Sequence, residues 1–406
     1  MKNVLRRGVY LAILLVGSAR AYIASRRNKR TIQHRPRILL IHPGHMGAMV
    51  MVTPILHALK THAPDAHITM LIGSWSKEVV SRHPDIDEIV TCTFPSHRDN
   101  SFNPLKSYML LFRTARQIRR GKYDLAINLR PRYWWSAALA YLAGIPKRVG
   151  YAVPPCRPLL THGIPRVRQE HFTISYLRLA SAGLAALGYE PLAEPYTPEE
   201  YPLYFEPTEA EKQWAVERLN AVKKTSTQPV VIIHPGSGGE VKLWRNEAWA
   251  TCADTLTQPS GAFPGACILL TGSKSELPVM EKVAASMTSS ATIITGTTLG
   301  QLAAVLQQAQ LVLGVDSGPL HLAVAQGTPT VRIFGPTDDR IFGPWGSRKQ
   351  HAVITSTHRC ATCPAIPCNR LNFRLDEIAA HPCVRMVSEQ EVLDIIARNF
   401  PDLLVA

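Results

Sequence analysis

The tightest constraint on the fold is a stretch near residue 310. Leu311 to Val315 is a short run of Leu, Val and Gly with no polar position. Such a run fits a strand buried on both faces, as parallel sheets require. Asp316-Ser317-Gly318-Pro319 then turns the chain, Leu320 to Gln326 reads as a helix, and Gly327 stops it. A second apolar run, Thr330 to Phe334, follows at once. Strand, helix, strand is the unit of an open parallel sheet, so the chain is committed to the α/β class. Earlier segments repeat the alternation. Apolar strands are expected at Ile38–Ile41, Ile68–Ile72, Ile86–Thr91 and Leu125–Leu129, with helices at Met49–Thr61, Lys77–Arg82, Pro104–Arg120 and Trp134–Gly144.

The turn after Val315 carries chemistry. A helix beginning at Asp316 or Ser317 presents unpaired backbone N–H groups and the positive end of its dipole. Gly318 lets a ligand approach that backbone, and Pro319 costs nothing in a first turn. Ser317 and His321 are four apart and share one helix face. Backbone donors, a hydroxyl and an imidazole therefore converge where a diphosphate fits. The plain alternative is a capped helix with a core-facing histidine.

A second turn raises the case for phosphate. The strand Val230–Ile233 runs into His234-Pro235-Gly236-Ser237-Gly238-Gly239, then Lys242 and Trp244, then a helix from Asn246 or Glu247 to about Leu256. A glycine-rich turn after a strand with a lysine close behind is a phosphate-cradle design. It has neither the Walker A spacing nor the dinucleotide Gly-x-Gly-x-x-Gly, since Val241 stands where the third glycine belongs.

The 406 residues suit two domains with separate cores. The Pro-, Tyr- and Glu-rich stretch 191–207 is the expected linker, with domains at 37–195 and 208–385. The net charge is +15, but ten of the lysines and arginines fall within residues 1–37, which hold no acidic residue. What remains is a mildly basic body with no aromatic-interleaved basic stripe, which speaks against a nucleic-acid partner. In the leader, 1–36, the apolar run Val9–Ala19 is shorter than the roughly 20 residues that span a bilayer. Arg20, Arg26, Arg27, Lys29 and Arg30 follow it and disfavour export. The leader is expected to lie on the cytoplasmic, inner face of the plasma membrane, its cations on anionic lipid. A cleaved or spanning segment is the alternative.

Cys92, Cys156, Cys252 and Cys267 are scattered, as buried reduced thiols are. Cys360, Cys363, Cys368 and Cys383 are clustered, with His358 and His381 nearby. Their spacing suits a structural zinc site, with free thiols or a disulfide as alternatives, because the second pair lacks a Cys-x-x-Cys knuckle.

HPGSGG with Lys242 and Trp244, then LLTGSKSE, then GVDSGPLHLAVAQGTPTVRIFGPTD, in this order and spacing, resemble the nucleotide-sugar-binding half of glycosyltransferase family 9, the bacterial ADP-heptose:lipopolysaccharide heptosyltransferases. RILLIHPGHMGAMVMVTPILHALK resembles the family's N-terminal motif. The resemblance runs from about Arg37 to about Asn399. It implies a GT-B fold: two Rossmann-like, doubly wound domains facing a central cleft, with a C-terminal helix in 386–406 packing back on the first domain. It implies ADP-heptose as donor substrate, no required cofactor or metal, inversion at the anomeric carbon, and a lipid-linked anionic saccharide of lipopolysaccharide-core type as acceptor. On this reading Ser237, Gly238, Lys242, Ser317, Gly318 and His321 meet the diphosphate, and Lys242 also offsets charge on departing ADP. Glu276 meets the ribose hydroxyls, although a helix-capping carboxylate is an equal local reading. Thr297 falls where the backbone meets adenine. Asp316, an anion, caps the helix or orients Lys242.

One position departs. The family carries Gly-Asp in the first loop, the Asp being the proposed base; here the pair is Gly47-Ala48. His45 in the same loop is the first candidate replacement. A carboxylate such as Asp99 or Asp124 is the second, and binding without transfer the third. Another nucleotide sugar is an alternative donor. Arg130 and Arg132, with Arg98 and the helix Arg113–Arg120, are candidate acceptor-binding cations.

Overall fold

The computed structural model describes residues 35–95 and 104–400. The leader, Arg98 and Asp99 lie outside the described residues. The apolar runs become twelve strands among the described residues: β1 Arg37–His42, β2 His67–Ile72, β3 Glu88–Thr91, β4 Leu125–Asn128, β5 Lys147–Tyr151, β6 His162–Ile164, β7 Val230–His234, β8 Cys267–Gly272, β9 Ala291–Thr295, β10 Leu311–Val315, β11 Thr330–Phe334 and β12 His351–Thr355. They form two six-stranded sheets, β3-β2-β1-β4-β5-β6 and β12-β11-β10-β7-β8-β9. Every strand pairing is parallel.

Within each sheet the order is 3-2-1-4-5-6, that of a Rossmann fold, so each half is doubly wound. The order reverses between β1 and β4 in one sheet and between β7 and β10 in the other. Loops leaving the carboxyl ends of these pairs diverge, and the crevice they leave is where such sheets bind ligands.

One compact unit comprises the described residues up to His45 and Val52–Tyr196; the other comprises Met46–Met51 and the chain from Thr197 onward. Their boundary falls inside the Pro-rich stretch 191–207. Each unit has its own core. Leu39, Ile41, Leu71, Ala126 and Leu139 belong to the first; Val231, Ile233, Trp249, Leu270, Leu313 and Ile333 belong to the second.

The N-terminal helix differs from its expectation. It is two helices, Met46–Met51 and Thr53–His62, broken at Val52. Pro54 lacks an N–H to continue the earlier helix but suits the first turn of the next. Strands β5 and β6 and the helix Phe172–Leu187 were not anticipated. Lys147 and Arg148 hide β5 from an apolar pattern, yet Arg148 is buried, donating from Nε to the Leu159 carbonyl at 2.8 Å and from Nη1 to Ile145 at 2.6 Å. The basic helix observed as Pro104–Arg119 buries Leu111, Thr114, Ala115 and Ile118, while its arginines and Phe112 are exposed. Among the described residues, no helix is long and apolar enough to cross a membrane.

The last helix is Glu389–Asn399. Ser388 and Glu391 close a capping box at its start. Its buried positions, Val392 and Ile396, join the core of the second unit, where the helix packs on the helix Asn246–Thr257 and on β12. Its apolar stripe is buried there. Ile396 is 1% exposed, so Ile396→Ala is expected to destabilise the second unit by about 2–4 kcal/mol, read as an earlier urea transition.

Candidate active site

In the second unit the crevice at the strand reversal is built by the turns after β7 and β10. Lys242 lies in a 3₁₀ turn, Glu240–Lys242, just beyond the glycine-rich turn. Its Nζ donates to the Asp316 carbonyl at 2.6 Å and to Asp316 Oδ2 at 3.2 Å. Both side chains are nearly buried, at 13% and 11% exposure, so the pair fastens the two turns together. Asp316 thus orients Lys242.

Asp316 is followed by the helix Gly318–Ala325, whose N-cap is Ser317. The Ser317 side chain makes no cap hydrogen bond, so it leaves the first-turn amides for another acceptor. Beneath the helix lies a charge that the sequence reading missed. Arg332 on β11 is fully buried. Its Nη2 donates to the Leu320 carbonyl at 2.6 Å, and its Nη1 approaches His321 Nδ1 at 3.4 Å. Burial pushes the guanidinium pKa down to about 9, with Asp316 opposing the shift, so it remains a cation at neutral pH. A guanidinium only donates, so Nδ1 of His321 accepts and the ring proton sits on Nε2. The signal for Arg332 was present: one charged residue inside the strand TVRIF. Lys242 and Arg332 against Asp316 leave a net positive charge beside a helix N-terminus, which suits an anion of two or more charges.

Several buried hydroxyls at this edge lack hydrogen-bond partners among the described residues: Ser237 Oγ after β7, Thr295 Oγ1 at the end of β9, Ser317 Oγ after β10 and Thr337 Oγ1 after β11. Folded proteins rarely leave such atoms unpaired, and four at the carboxyl edge of one sheet mark a polar ligand site. Ser237 and Ser317 were expected there; Thr295 and Thr337 were not. Gly238 is exposed, with open space where a side chain would be. Thr297 follows β9 at the same edge, half-buried.

Glu276 takes the capping reading of its carboxylate. One carboxylate oxygen accepts from Ser273 N at 2.8 Å and Ser273 Oγ at 2.7 Å, capping the turn Lys274–Glu276. The carboxylate also lies against Gly236, where a Cβ would collide with it. Glu276 therefore borders the glycine-rich turn, and a larger residue at 236 would have to displace its carboxylate. His234, buried beneath that turn, is held neutral by burial although Glu276 opposes the shift.

The short helix Met46–Met51 packs on Gly318–Ala325 within the second unit. A Cβ at Gly47 would lie 3.2 Å from His321 Cδ2 and 3.3 Å from Gly318 Cα; one at Gly318 would lie 3.0 Å from Met46 Sδ. The two glycines allow this approach. Ala48 stands next to it without an ionisable group.

In the first unit, the loop leaving β1 is pinned by a buried histidine. Gly44 N–H donates to His42 Nδ1 at 2.9 Å, so Nε2 carries the proton toward the Tyr176 hydroxyl 2.8 Å away. Burial, with Arg130 adding to it, lowers the His42 pKa to about 3. Trp75 Nε1 and Ser76 Oγ both donate to the Gly44 carbonyl, at 3.0 and 2.6 Å. This clamp presents His45, exposed and 6.2 Å from the Trp75 ring. At the same sheet edge Arg130 donates to the Pro43 carbonyl at 3.4 Å, and Arg132 is exposed. Asn128, which ends β4, is 3% exposed, and neither end of its amide has a partner among the described residues. Asp124 lies elsewhere. It precedes β4 and accepts from Arg37 N at 2.8 Å, at the amino edge of the sheet, which removes it as a base for chemistry at the carboxyl edge.

Two Rossmann-ordered sheets, with a positively charged crevice at the strand reversal of the second, make this a two-domain α/β protein of the Rossmann-like class. The chain belongs to glycosyltransferase family 9 (heptosyltransferase), whose profile matches residues 111–372, and is a glycosyltransferase. Lipopolysaccharide heptosyltransferase 3 of Escherichia coli is 27% identical over 304 residues, covering 74% of this chain and 82% of that protein. Among solved structures, a glycosyl transferase family 9 protein from Veillonella parvula has a TM-score of 0.70 at 24% identity, covering 93% of this chain and 99% of that one. The ADP-heptose lps heptosyltransferase II of E. coli has a TM-score of 0.65 at 21% identity, covering 91% and 98%.

The geometry fixes an acid response. His42 and His351 have pKa values lowered from 6.5 to about 3, so the unfolded chain binds protons that the folded chain refuses. Their contribution to stability is complete above pH 6.5 and falls toward pH 3 by about 1.4 kcal/mol per pH unit for each. Urea titrations across that range should show a shallower decline for His42→Gln than for wild type.

Proposed function

We propose that this chain is an inverting heptosyltransferase that moves heptose from ADP-heptose to a hydroxyl of a lipid-linked anionic saccharide of lipopolysaccharide-core type, without a metal. The observation that carries the reading is the coincidence of Lys242, a helix N-terminus and the unpaired hydroxyls of Ser237 and Ser317 at one strand reversal, with the buried cation Arg332 behind them. A diphosphate suits these donors together. The names of the family relatives supply the sugar, the nucleotide and the acceptor class.

Ser237, Gly238, Ser317, Gly318 and His321 Nε2–H cradle the diphosphate, and Lys242, steered by Asp316, offsets charge that grows on the leaving ADP. The free carboxylate oxygen of Glu276 accepts from the ribose, and the backbone at Thr297 meets adenine. The acceptor oxygen attacks the anomeric carbon as the bond to the ADP oxygen breaks. His45 takes the hydroxyl proton in place of the aspartate that Ala48 replaces. Arg130, Arg132 and the unpaired amide of Asn128 hold the acceptor's anionic and hydroxyl groups. A membrane-resident acceptor fits a basic leader resting on the inner face of the membrane.

The test is ADP release from ADP-heptose with lipopolysaccharide-core acceptors, with UDP- and GDP-sugars as controls. Lys242→Met should weaken ADP binding by about 3 kcal/mol, roughly a hundredfold by calorimetry. Ser317→Ala should weaken it about tenfold or more while leaving the melting temperature unchanged, because no native hydrogen bond is lost. His45→Ala should keep ADP affinity and lose a factor of about 10²–10⁴ in kcat. Tight ADP binding with no turnover on any acceptor, or preference for another nucleotide sugar, would overturn the reading.

A further inference from the structure

Between β12 and the helix Glu389–Asn399 the chain runs from residue 356 to 388 with only two 3₁₀ turns, Leu375–Ala380 and Val384–Met386. A stretch this long without helix or strand is unusual inside a compact domain, because it has no face of its own to bury. Its interior holds sulfur instead. Cys360, Cys363 and Cys383 are 3%, 8% and 2% exposed, and His381 is 6% exposed. These four line one recess together with Val241 and Pro336, and it has no room for a water molecule.

The donor atoms converge. Those of Cys360, Cys363 and His381 all lie within 4.8 Å of one another, and Cys363 Sγ is 3.3 Å from His381 Nδ1. The Cys383 thiol contacts the Cys360 thiol. Ligands around tetrahedral zinc, with bonds of about 2.0–2.3 Å, lie roughly 3.5–3.8 Å apart, so little movement separates this arrangement from a coordination sphere. Cys368 lines the same recess and its thiol contacts the Cys363 thiol, but it is only half-buried and also faces the Arg370 carbonyl. The contrast with Cys92, Cys156 and Cys252 is informative: those are buried one by one among apolar neighbours.

We propose that Cys360, Cys363, Cys383 and His381 hold one structural transition-metal ion, zinc by donor preference. Thiolate and imidazole in a closed tetrahedral set select zinc or iron over hard cations. The ion knots the irregular segment to the transferase site. Cys383 Sγ lies 3.1 Å from a Cβ built on Gly335, in the turn after β11. Asn369 N donates to the Pro336 carbonyl at 2.7 Å in that same turn, and Ser356 Oγ donates to the Cys383 carbonyl at 2.6 Å. On the other side Val241 lines the recess next to Lys242, while Trp244 Nε1 and Arg245 reach the Val387 carbonyl at 2.9 and 3.2 Å. Metal binding is therefore felt at both turns that frame Lys242 and Thr337.

The test needs no turnover. Zinc and iron are measured by mass spectrometry in the purified full chain, and about one ion per chain is expected. Cys363→Ser should lose it; Cys156→Ser, a core thiol elsewhere, should keep it. Stripping the ion with a strong chelator should lower the melting temperature. Adding cobalt to the stripped chain should restore it and produce intense thiolate-to-cobalt absorption, which keeps the proposal testable even where Cys363→Ser fails to fold. Metal below about 0.1 ion per chain, with all eight thiols titratable and no cobalt absorption, would overturn it.

Discussion

The second unit depends on the pairing of Lys242 with Asp316 over the buried cation Arg332. Burying a charge costs several kcal/mol unless partners replace water, and here the partners replace one another. Asp316 neutralises Lys242 from the front and faces Arg332 from behind; without it two cations would share a desolvated crevice. The arrangement also fixes position. Lys242 touches both the carbonyl and the carboxylate of Asp316, so the glycine-rich turn cannot drift from the helix at Gly318. An anion entering this crevice meets donors already aimed, which is how fixed dipoles and charges act most strongly on a reaction.

The hydroxyls left unpaired at the same edge have a cost of their own. An unsatisfied buried polar group forgoes about 1–3 kcal/mol of hydrogen bonding, and Ser237, Thr295, Ser317 and Thr337 all stand at the carboxyl ends of strands. A fold selected only for stability would fill these positions with alanine or valine. Their hydroxyls stand available to an entering polar ligand.

What could be read from the chain follows from how each feature is encoded. β10 and β11 are uniform apolar runs between turn residues, and their boundaries match the sequence reading, because a strand buried on both faces needs no tertiary information to be recognised. β5 escaped because Lys147 and Arg148 break its pattern, and only the fold supplies the carbonyls that make Arg148 a buried residue. Ser237, Lys242, Ser317 and His321 were legible from turn chemistry. Arg332 left a trace, one charge inside an apolar strand, but Thr337 and Asn128 left none, because their surroundings arise from neighbours distant in sequence. The amphipathic stripe of the last helix likewise says that it packs, not on what.

The loop that replaces Gly-Asp with Gly-Ala concentrates the remaining chemistry. A Cβ at Gly47 would crowd His321 and the backbone at Gly318, so glycine suits this close approach. If a diphosphate binds beside it, alanine at position 48 places no negative charge against it. Transfer still requires something to take the acceptor's proton. His45 is held by a loop more rigid than most, with Gly44 clamped through both its N–H and its carbonyl, and an imidazole ionises closer to neutral pH than a carboxylate. Moving the base from residue 48 to residue 45 would change the pH range of the reaction while leaving the grip on the nucleotide intact, because the two tasks rest on different residues.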